Sequence, residues 1–282
     1  MSTRPFFSII IPCLNEEKYL PKLLEDLSNQ TLQDFEVIVI DGNSEDKTIQ
    51  IIEKYKDVFS TFKIIISKIR NVSVQRNLGG KNATGEYLVF NDADNRLPIY
   101  FLEGLRYQLR VNPVDLFTCW CETDYKNSKD KTIATACNLL LEANKLTNTP
   151  SAFGAMIGCK TNIFSKTPMF NPEVGFAEDT DFVRKSAELG YSFKVFKDPR
   201  YSYSLRRFHS QGTVKVIQKS AKLFLKYLSG KNINQEIEYP MGGKNNTSKN
   251  QDLIEKINDF LNKPIKKPKI IDRLQTLLEF ED

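Results

Sequence analysis

Along the first ninety positions, short apolar runs alternate with wider-spaced apolar stripes. The run at residues 6–11 has the character of a strand covered on both faces of a parallel sheet, and the runs at 35–40, 62–66 and 87–90 read as three further strands. Between the first two, Tyr19, Leu20, Leu23, Leu24 and Leu27 recur as a helical stripe over residues 16–29. Ser44, followed by Glu45 and Asp46, has the chemistry of a second helix start: a side-chain oxygen for free N–H groups and acids for the helix dipole. Strands and helices alternating at this spacing predict right-handed βαβ units, an α/β fold with a mostly parallel central sheet flanked by helices.

After residue 97 the pattern is mixed. Helices are expected over 99–111, 132–146 and 180–189, the last ended by Gly190. One or two strands are expected over 115–123, and short ones over 155–159, 193–196 and 201–205. Residues 230–250 are rich in Lys, Asn and Gly and read as a loop. Two short amphipathic helices, 253–261 and 271–280, follow on either side of the segment between Pro264 and Pro268. No internal repeat is present.

Composition narrows the class. The chain has 282 residues, 40 % of them hydrophobic and 27 % charged, enough for a sizeable core and unlike collagen or a wholly disordered chain. No window reaches the roughly 18 consecutive apolar residues of a membrane span, and no apolar segment follows Met1 as in a signal peptide, so a cytoplasmic protein is expected. The five cysteines, Cys13, Cys119, Cys121, Cys137 and Cys159, form no CxxC pair and are expected to be buried reduced thiols. His209 is the sole histidine, which excludes His-rich zinc chemistry. Residues 1–205 carry 25 basic and 26 acidic side chains, whereas 206–282 carry 15 and 9. The basic character therefore belongs to the C-terminal part.

Four polar clusters fall at predicted strand ends or in the loops beyond them, where open α/β sheets bind ligands. They are Pro12-Cys13-Leu14-Asn15-Glu16, Asp41-Gly42-Asn43-Ser44, Asp92-Ala93-Asp94 and Glu178-Asp179-Thr180-Asp181. Each alone is ordinary capping or turn chemistry; their coincidence on one rim is informative. Asp92 and Asp94, two apart in an extended segment, point to the same side. Two carboxylates so placed suit Mg²⁺ or Mn²⁺ bridging to a diphosphate.

Four stretches carry a resemblance to a known family: FSIIIPCLNEEKYLPKLLEDL, FEVIVIDGNSEDKT, QRNLGGKNATGEYLVFNDAD and GFAEDTDFVRKSAELGY. In this order and spacing the chain resembles the inverting nucleotide-sugar glycosyltransferases of family 2, with the GT-A (Rossmann-like) fold, over about residues 6–205. The resemblance implies that Pro12, Asn15 and Glu16 line the nucleoside pocket and that Asp41 reads the base edge. It implies that Asp92 and Asp94 are the DxD pair meeting ribose and the diphosphate-bound metal, and that Arg76, with Asn71 as a weaker candidate, holds the donor. Gln75 replaces the family's usual small residue before Arg76. Asn77 and Gly79 are expected to serve helix termination and close packing.

Glu178 and Asp179 match the family's E-D motif, in which the aspartate is the general base. An inverting transfer needs a carboxylate to take the acceptor hydroxyl's proton as it attacks the anomeric carbon, while the metal neutralises the departing diphosphate. Asp181 is expected to serve the helix N-terminus. Two readings of His209 stay open: a further metal ligand, as in many GT-A enzymes, or part of a solvent-exposed basic loop. Arg206 and Arg207 have the planar fork that grips diphosphate. Residues 214–228 are expected to form a helix with Lys215, Lys219, Lys222 and Lys226 on one face, read first as an ordinary surface helix and second as a peripheral contact with the inner face of the plasma membrane.

The expected organisation is a glycosyltransferase domain over 1–212, its nucleotide-binding half about 1–97 and its acceptor half about 98–212, with a basic helical extension over 213–282. The expected activity is metal-dependent, inverting transfer from a nucleotide-diphosphate sugar, UDP-linked, to a saccharide or lipid-linked acceptor in cell-envelope polysaccharide synthesis. The alternatives are a noncatalytic module of the same fold that binds nucleotide sugar or glycan, and a nucleic-acid binder using the basic C-terminal part. The latter is disfavoured because its lysines lack interleaved surface aromatics.

Overall fold

A computed structural model describes residues 4–123, 134–135, 137–139, 141–142, 150–152, 155–175 and 177–206. All of these but Arg206 belong to one compact unit. In chain order the elements are β1 (Phe7–Cys13), α1 (Leu20–Ser28), β2 (Phe35–Asp41), α2 (Thr48–Glu53), β3 (Phe62–Ile66), α3 (Val72–Asn82), β4 (Tyr87–Asn91), α4 (Phe101–Val111), β5 (Leu116–Thr123), β6 (Met156–Lys160), α5 (Thr161–Phe164), α6 (Glu178–Glu188) and β7 (Phe193–Tyr203).

Among the described residues the strands form one sheet in the order β3-β2-β1-β4-β6-β5-β7. The β1–β2, β1–β4, β2–β3 and β5–β7 pairs are parallel, and β6 runs antiparallel to both its neighbours. The expected α/β class and mostly parallel sheet are therefore observed. The strand order reverses at β1, which lies between β2 and β4. Such a switch point opens a crevice beyond the carboxyl ends of the strands, because the flanking connections leave on opposite faces.

The apolar runs of β1, β2 and β4 are buried on both faces, as their continuity implies, whereas β3, at the edge of the sheet, is only half-buried and leaves Ile66 exposed. Ile9, Ile11, Val37, Val39 and Val89 pack on one side with Leu20, Leu23, Leu24 and Leu27 of α1 and Leu102, Leu105 and Leu109 of α4. Ile10, Ile38, Ile40, Leu88 and Phe90 face the other side with Phe164, Phe170 and Phe182. Each fully buried Leu, Ile or Phe side chain contributes about 1.5–3 kcal/mol of transfer free energy before entropy is subtracted. Helix α3 approaches this second face at Gly79, where an added Cβ would lie 2.3 Å from Ile10 Cγ2. That is the close packing expected of Gly79.

Pro12 is tolerated inside a central strand because the β1–β4 ladder covers only Phe7 to Ile10. At the opposite end of the sheet, the buried Glu36 carboxylate accepts from Ser8 Oγ at 2.6 Å and Lys63 Nζ at 2.8 Å, and from Thr84. Burial pushes its pKa up, but these partners outweigh that and hold it below the ordinary value. Glu36 is a structural pin.

Several boundaries differ from the periodicity. Helix α1 begins at Leu20 rather than 16, leaving residues 14–19 as a loop. Helix α2 begins at Thr48, because the Ser44 hydroxyl donates to Asp41 instead of capping a helix. Helix α6 begins at Glu178, two residues early. The two short strands expected over 193–205 are one, β7, with a register shift against β5 between Cys119 and Cys121. Helix α3 runs on to Asn82, so Asn77 does not end it.

Within the expected helix 132–146, residues 134–135, 137–139 and 141–142 are helical and the remainder lies outside the described residues. Arg207, His209, the 214–228 helix, the 230–250 loop and the helices 253–261 and 271–280 also lie outside them. All five cysteines are free thiols, four of them buried. Among the described residues no helix is long and apolar enough to cross a membrane.

Candidate active site

The rim beyond β1 and β2 is stitched by side chains bonded to backbone. Asn15 takes up a left-handed conformation (φ 55°), which asparagine tolerates better than most residues. Its N–H donates to Ser44 Oγ at 2.8 Å, and its Oδ1 accepts from Glu45 N–H at 2.8 Å. Glu16 N–H donates to Thr48 Oγ1 at 2.8 Å. Asp41 is fully buried; its Oδ2 accepts from Ser44 N–H at 2.8 Å, and Oδ1 accepts from the Ser44 hydroxyl and, at 3.6 Å, the Cys13 thiol. Burial first, then the Asp41 charge, pushes the Cys13 thiol up in pKa, so it stays protonated as a donor. Asp41 anchors the Ser44 turn here. Both oxygens of the Asp41 carboxylate are thus engaged by protein.

The second part of the site is a knot of charge around Arg76 on α3. The guanidinium is buried, donates from Nη1 to Glu178 Oε1 at 2.7 Å and from Nη2 to Asp92 Oδ1 at 3.1 Å, and lies 5.3 Å from the centre of the Phe170 ring. Burial alone would weaken its hold on the proton. The charges of Asp92, Glu178 and Asp179 outweigh that and raise its pKa above the ordinary arginine value.

Asp179, in the first turn of α6, is 9 % exposed and accepts from Thr180 N–H at 2.7 Å. Its pKa is pushed up to about 7, by burial first and then the charge of Glu178; Arg76 and the Thr180 N–H pull down, and Asp92 adds to the rise. A carboxyl so tuned changes protonation at neutral pH. Ala177, which precedes this turn, has φ 60° and ψ 34°. An alanine in the left-handed region stores strain at the point where the chain delivers both acids. Asp181 is taken up within its own helix by Lys185 at 2.7 Å and Arg184 at 3.3 Å.

The Asp92–Asp94 turn is fixed by buried amides. Asp92 N–H donates to Ala155 O at 2.9 Å, and Asn95 Nδ2 donates to Ala155 O at 2.6 Å and Asn91 Oδ1 at 3.1 Å. Arg96 then grips Asp26 of α1 with two bonds of 2.6 Å. Asp92 keeps a third of its side chain exposed, and Asp94 is half-buried. Among the described residues no group of three or more His, Cys, Asp or Glu side chains could hold a metal unaided. Asp92 and Asp94 lie in a turn rather than in the extended segment expected, and both are partly exposed carboxylates, the oxygen chemistry a hard divalent cation takes.

Asn71 and Asn77, from the same helix, hold the loop that leads to Glu178. Asn71 caps α3, accepting from Val74 N–H at 3.0 Å, while its Nδ2 donates to Pro172 O at 3.0 Å. Asn77 donates to Phe170 O at 2.7 Å and accepts from Phe170 N–H at 3.0 Å. Both amides are thus engaged by protein, Asn71 included, which the sequence nominated as a donor contact. Glu178, Asp179, Asp92 and Arg76 are brought together, and Pro12, Asn15, Glu16 and Asp41 line or underlie the adjacent rim. The structure adds Asn77 as a clasp and Gln75, buried beneath the rim. Their only trace in sequence is their setting beside Arg76.

The sequence profile of Glycosyl transferase family 2 matches residues 8–167, more than half the chain. The uncharacterized glycosyltransferase EpsJ of Bacillus subtilis is 25 % identical over 214 residues, covering 71 % of this chain and 61 % of the relative. The poly(ribitol-phosphate) beta-N-acetylglucosaminyltransferase TarS of Staphylococcus aureus is 27 % identical over 212 residues, covering 71 % and 36 %. The crystal structure of TarS residues 1–349 in complex with UDP matches with a TM-score of 0.56 at 25 % identity, covering 72 % of this chain and 62 % of that one. The mannosyltransferase PcManGT of Pyrobaculum calidifontis, in complex with GDP-Man and Mn²⁺, shares the fold with a TM-score of 0.59 at 23 % identity, covering 72 % and 58 %. The chain spans less than two thirds of the length of these relatives.

Proposed function

We propose, from the premise that the chain belongs to Glycosyl transferase family 2, that it is an inverting glycosyltransferase. In this reading it moves a sugar from a UDP-sugar to a hydroxyl of a saccharide or lipid-linked acceptor in cell-envelope polysaccharide synthesis. The observation that carries it is the convergence of Asp92 and Glu178 on one buried arginine, beside a carboxyl, Asp179, whose pKa is raised to about 7. A charge cluster drawn together from α3, the turn after β4 and the start of α6 is costly to fold, and such clusters gather at functional sites, which supports this reading. UDP as the nucleotide, and an envelope polymer as acceptor, are supported by the likeness to TarS.

Residues 1–97 supply the donor side. Loops 14–19 and 42–47 flank the nucleoside, with Pro12, Asn15 and Glu16 at their base and Asp41 holding the Ser44 turn. Arg76 neutralises carboxylate charge where the diphosphate arrives and keeps Asp92 and Glu178 at hydrogen-bond distance. Asp179 accepts the proton of the acceptor hydroxyl as its oxygen bonds to the anomeric carbon and the bond to the diphosphate breaks on the opposite side. The electron pair leaves with the nucleotide, and the configuration inverts. Asp94 and Asp92 would hold Mg²⁺ or Mn²⁺, which supplies charge neutralisation for the departing diphosphate when bound.

The test is a panel of nucleotide diphosphates and their sugars, with and without Mn²⁺, read by thermal shift. A ligand that binds only the native state stabilises by about 2.7 kcal/mol at a hundredfold excess over its Kd. A metal-dependent shift with UDP and not GDP supports the reading, and no shift with any nucleotide removes it.

A further inference from the structure

We infer that Gln75 is a positioning residue for nucleoside binding, fixing the spacing of the two strand ends from which the nucleoside loops spring; the inference rests on the functional reading above. Gln75 is 1 % exposed, so it touches no ligand and acts through others. Its Nε2 donates to Cys13 O and to Ile40 O, each at 2.8 Å. A primary amide carries two N–H groups, and both partners are carbonyls, which only accept, so the amide's orientation is forced.

The location gives the bond pair its consequence. Cys13 and Asp41 are register partners and the last residues of β1 and β2, so the parallel ladder ends at the level where Gln75 bridges the strands. Beyond it both chains run on into the loops proposed above for the nucleoside, which are tied to each other by the Asn15, Ser44 and Glu45 bonds. Gly42, the first residue past β2, adds a second tie by donating its N–H to Cys13 O at 2.8 Å. A Cβ on Gly42 would lie 3.2 Å from Gln75 Nε2 and 3.4 Å from Cys13 O, so the bridge is packed against backbone with little slack.

Gln75 is also the helical neighbour of Arg76, which faces the charged groups. One turn of α3 thus anchors the nucleoside loops with one residue and the reacting carboxylates with the next. A small side chain cannot span from α3 to both strand ends, so this chain's rim is braced by a contact that such a residue cannot make.

The experiment uses the full chain with Gln75→Leu, which keeps the volume and removes both donors. UDP affinity is measured by titration calorimetry, and donor KM and kcat by UDP release. Expected is a rise of about tenfold in UDP Kd and donor KM, the scale of a lost neutral hydrogen bond, with kcat within about twofold of wild type. Gly42→Ala, which presses on the same bridge, should weaken UDP binding less, and its effect should shrink in the Gln75→Leu background because the two share one contact. This variant also carries the test if Gln75→Leu does not fold. Wild-type affinity in both variants, or a loss in kcat at unchanged KM, overturns the inference while leaving the function intact. A wild-type chain that binds no nucleotide overturns the function and the inference with it.

Discussion

Arg76 and Glu178, 102 positions apart in the chain, are joined by a 2.7 Å charge-assisted hydrogen bond in which the arginine is buried. The same guanidinium reaches Asp92, so one side chain ties the loop after β4 to the start of α6. Removing a partner from such a knot strands the remaining charges in a poor solvent for them.

Arg76→Met is accordingly expected to cost about 3–5 kcal/mol, the penalty for an uncompensated buried charge. Arg76→Lys keeps the charge but lacks the planar fork that serves two acceptors, and should fall between. Denaturant unfolding of the three proteins checks the order.

Asp94→Asn removes a charged oxygen from the proposed cation site. Loss of even an outer-shell partner lowers metal affinity 10- to 100-fold, so the Mn²⁺ concentration for half-maximal turnover should rise about tenfold or more. Asp181→Asn is the comparison, because Asp181 is paired to Lys185 and Arg184 within its own helix. A metal titration of turnover in both variants checks it.

The raised pKa of Asp179 has consequences of opposite direction for activity and stability. As a base it works ionised, so kcat/KM should climb with pH and level off above about 7. For stability, the folded state holds the proton between the unfolded carboxyl value, about 3.9, and about 7, so folding weakens as pH rises through that window. Asp179→Asn should therefore melt higher than wild type at pH 8, by ~2 °C or more, and close to it at pH 4. Melting curves at the two pH values read the sign directly.

Two glycines on helices should respond oppositely to alanine. At Gly79 a Cβ would lie 2.3 Å from Ile10 Cγ2 and 2.7 Å from Ile40 Cδ1, an overpacking of about 1–3 kcal/mol. At Gly104 the nearest atom is Pro199 Cγ at 3.4 Å, an ordinary contact, and alanine should stabilise by up to about 1 kcal/mol through helix propensity. Unfolding free energies of Gly79→Ala and Gly104→Ala decide this.

The parallel sheet was legible because strands buried on both faces must be apolar throughout, as in residues 35–40, and because α1 shows its leucine stripe. Asp92, Glu178 and Asp179 stood out as acids at strand and helix ends. Their meeting on Arg76 was not legible, since it depends on a loop led back to α3 by Asn71 and Asn77, and amide-to-backbone bonds leave no periodic trace. Burial of Asp41 was missed for a related reason: a Ser three residues on reads equally well as a helix cap. The merger of the last two strands into β7 was hidden by Lys197, Asp198, Pro199 and Arg200, where the register against β5 shifts.

The most direct test of the account is Asp179→Asn measured for both sugar transfer and donor binding. The account predicts that transfer falls to background while the UDP-sugar binds as in wild type, since the amide keeps the shape and cannot take the proton. Transfer at the wild-type rate would contradict it.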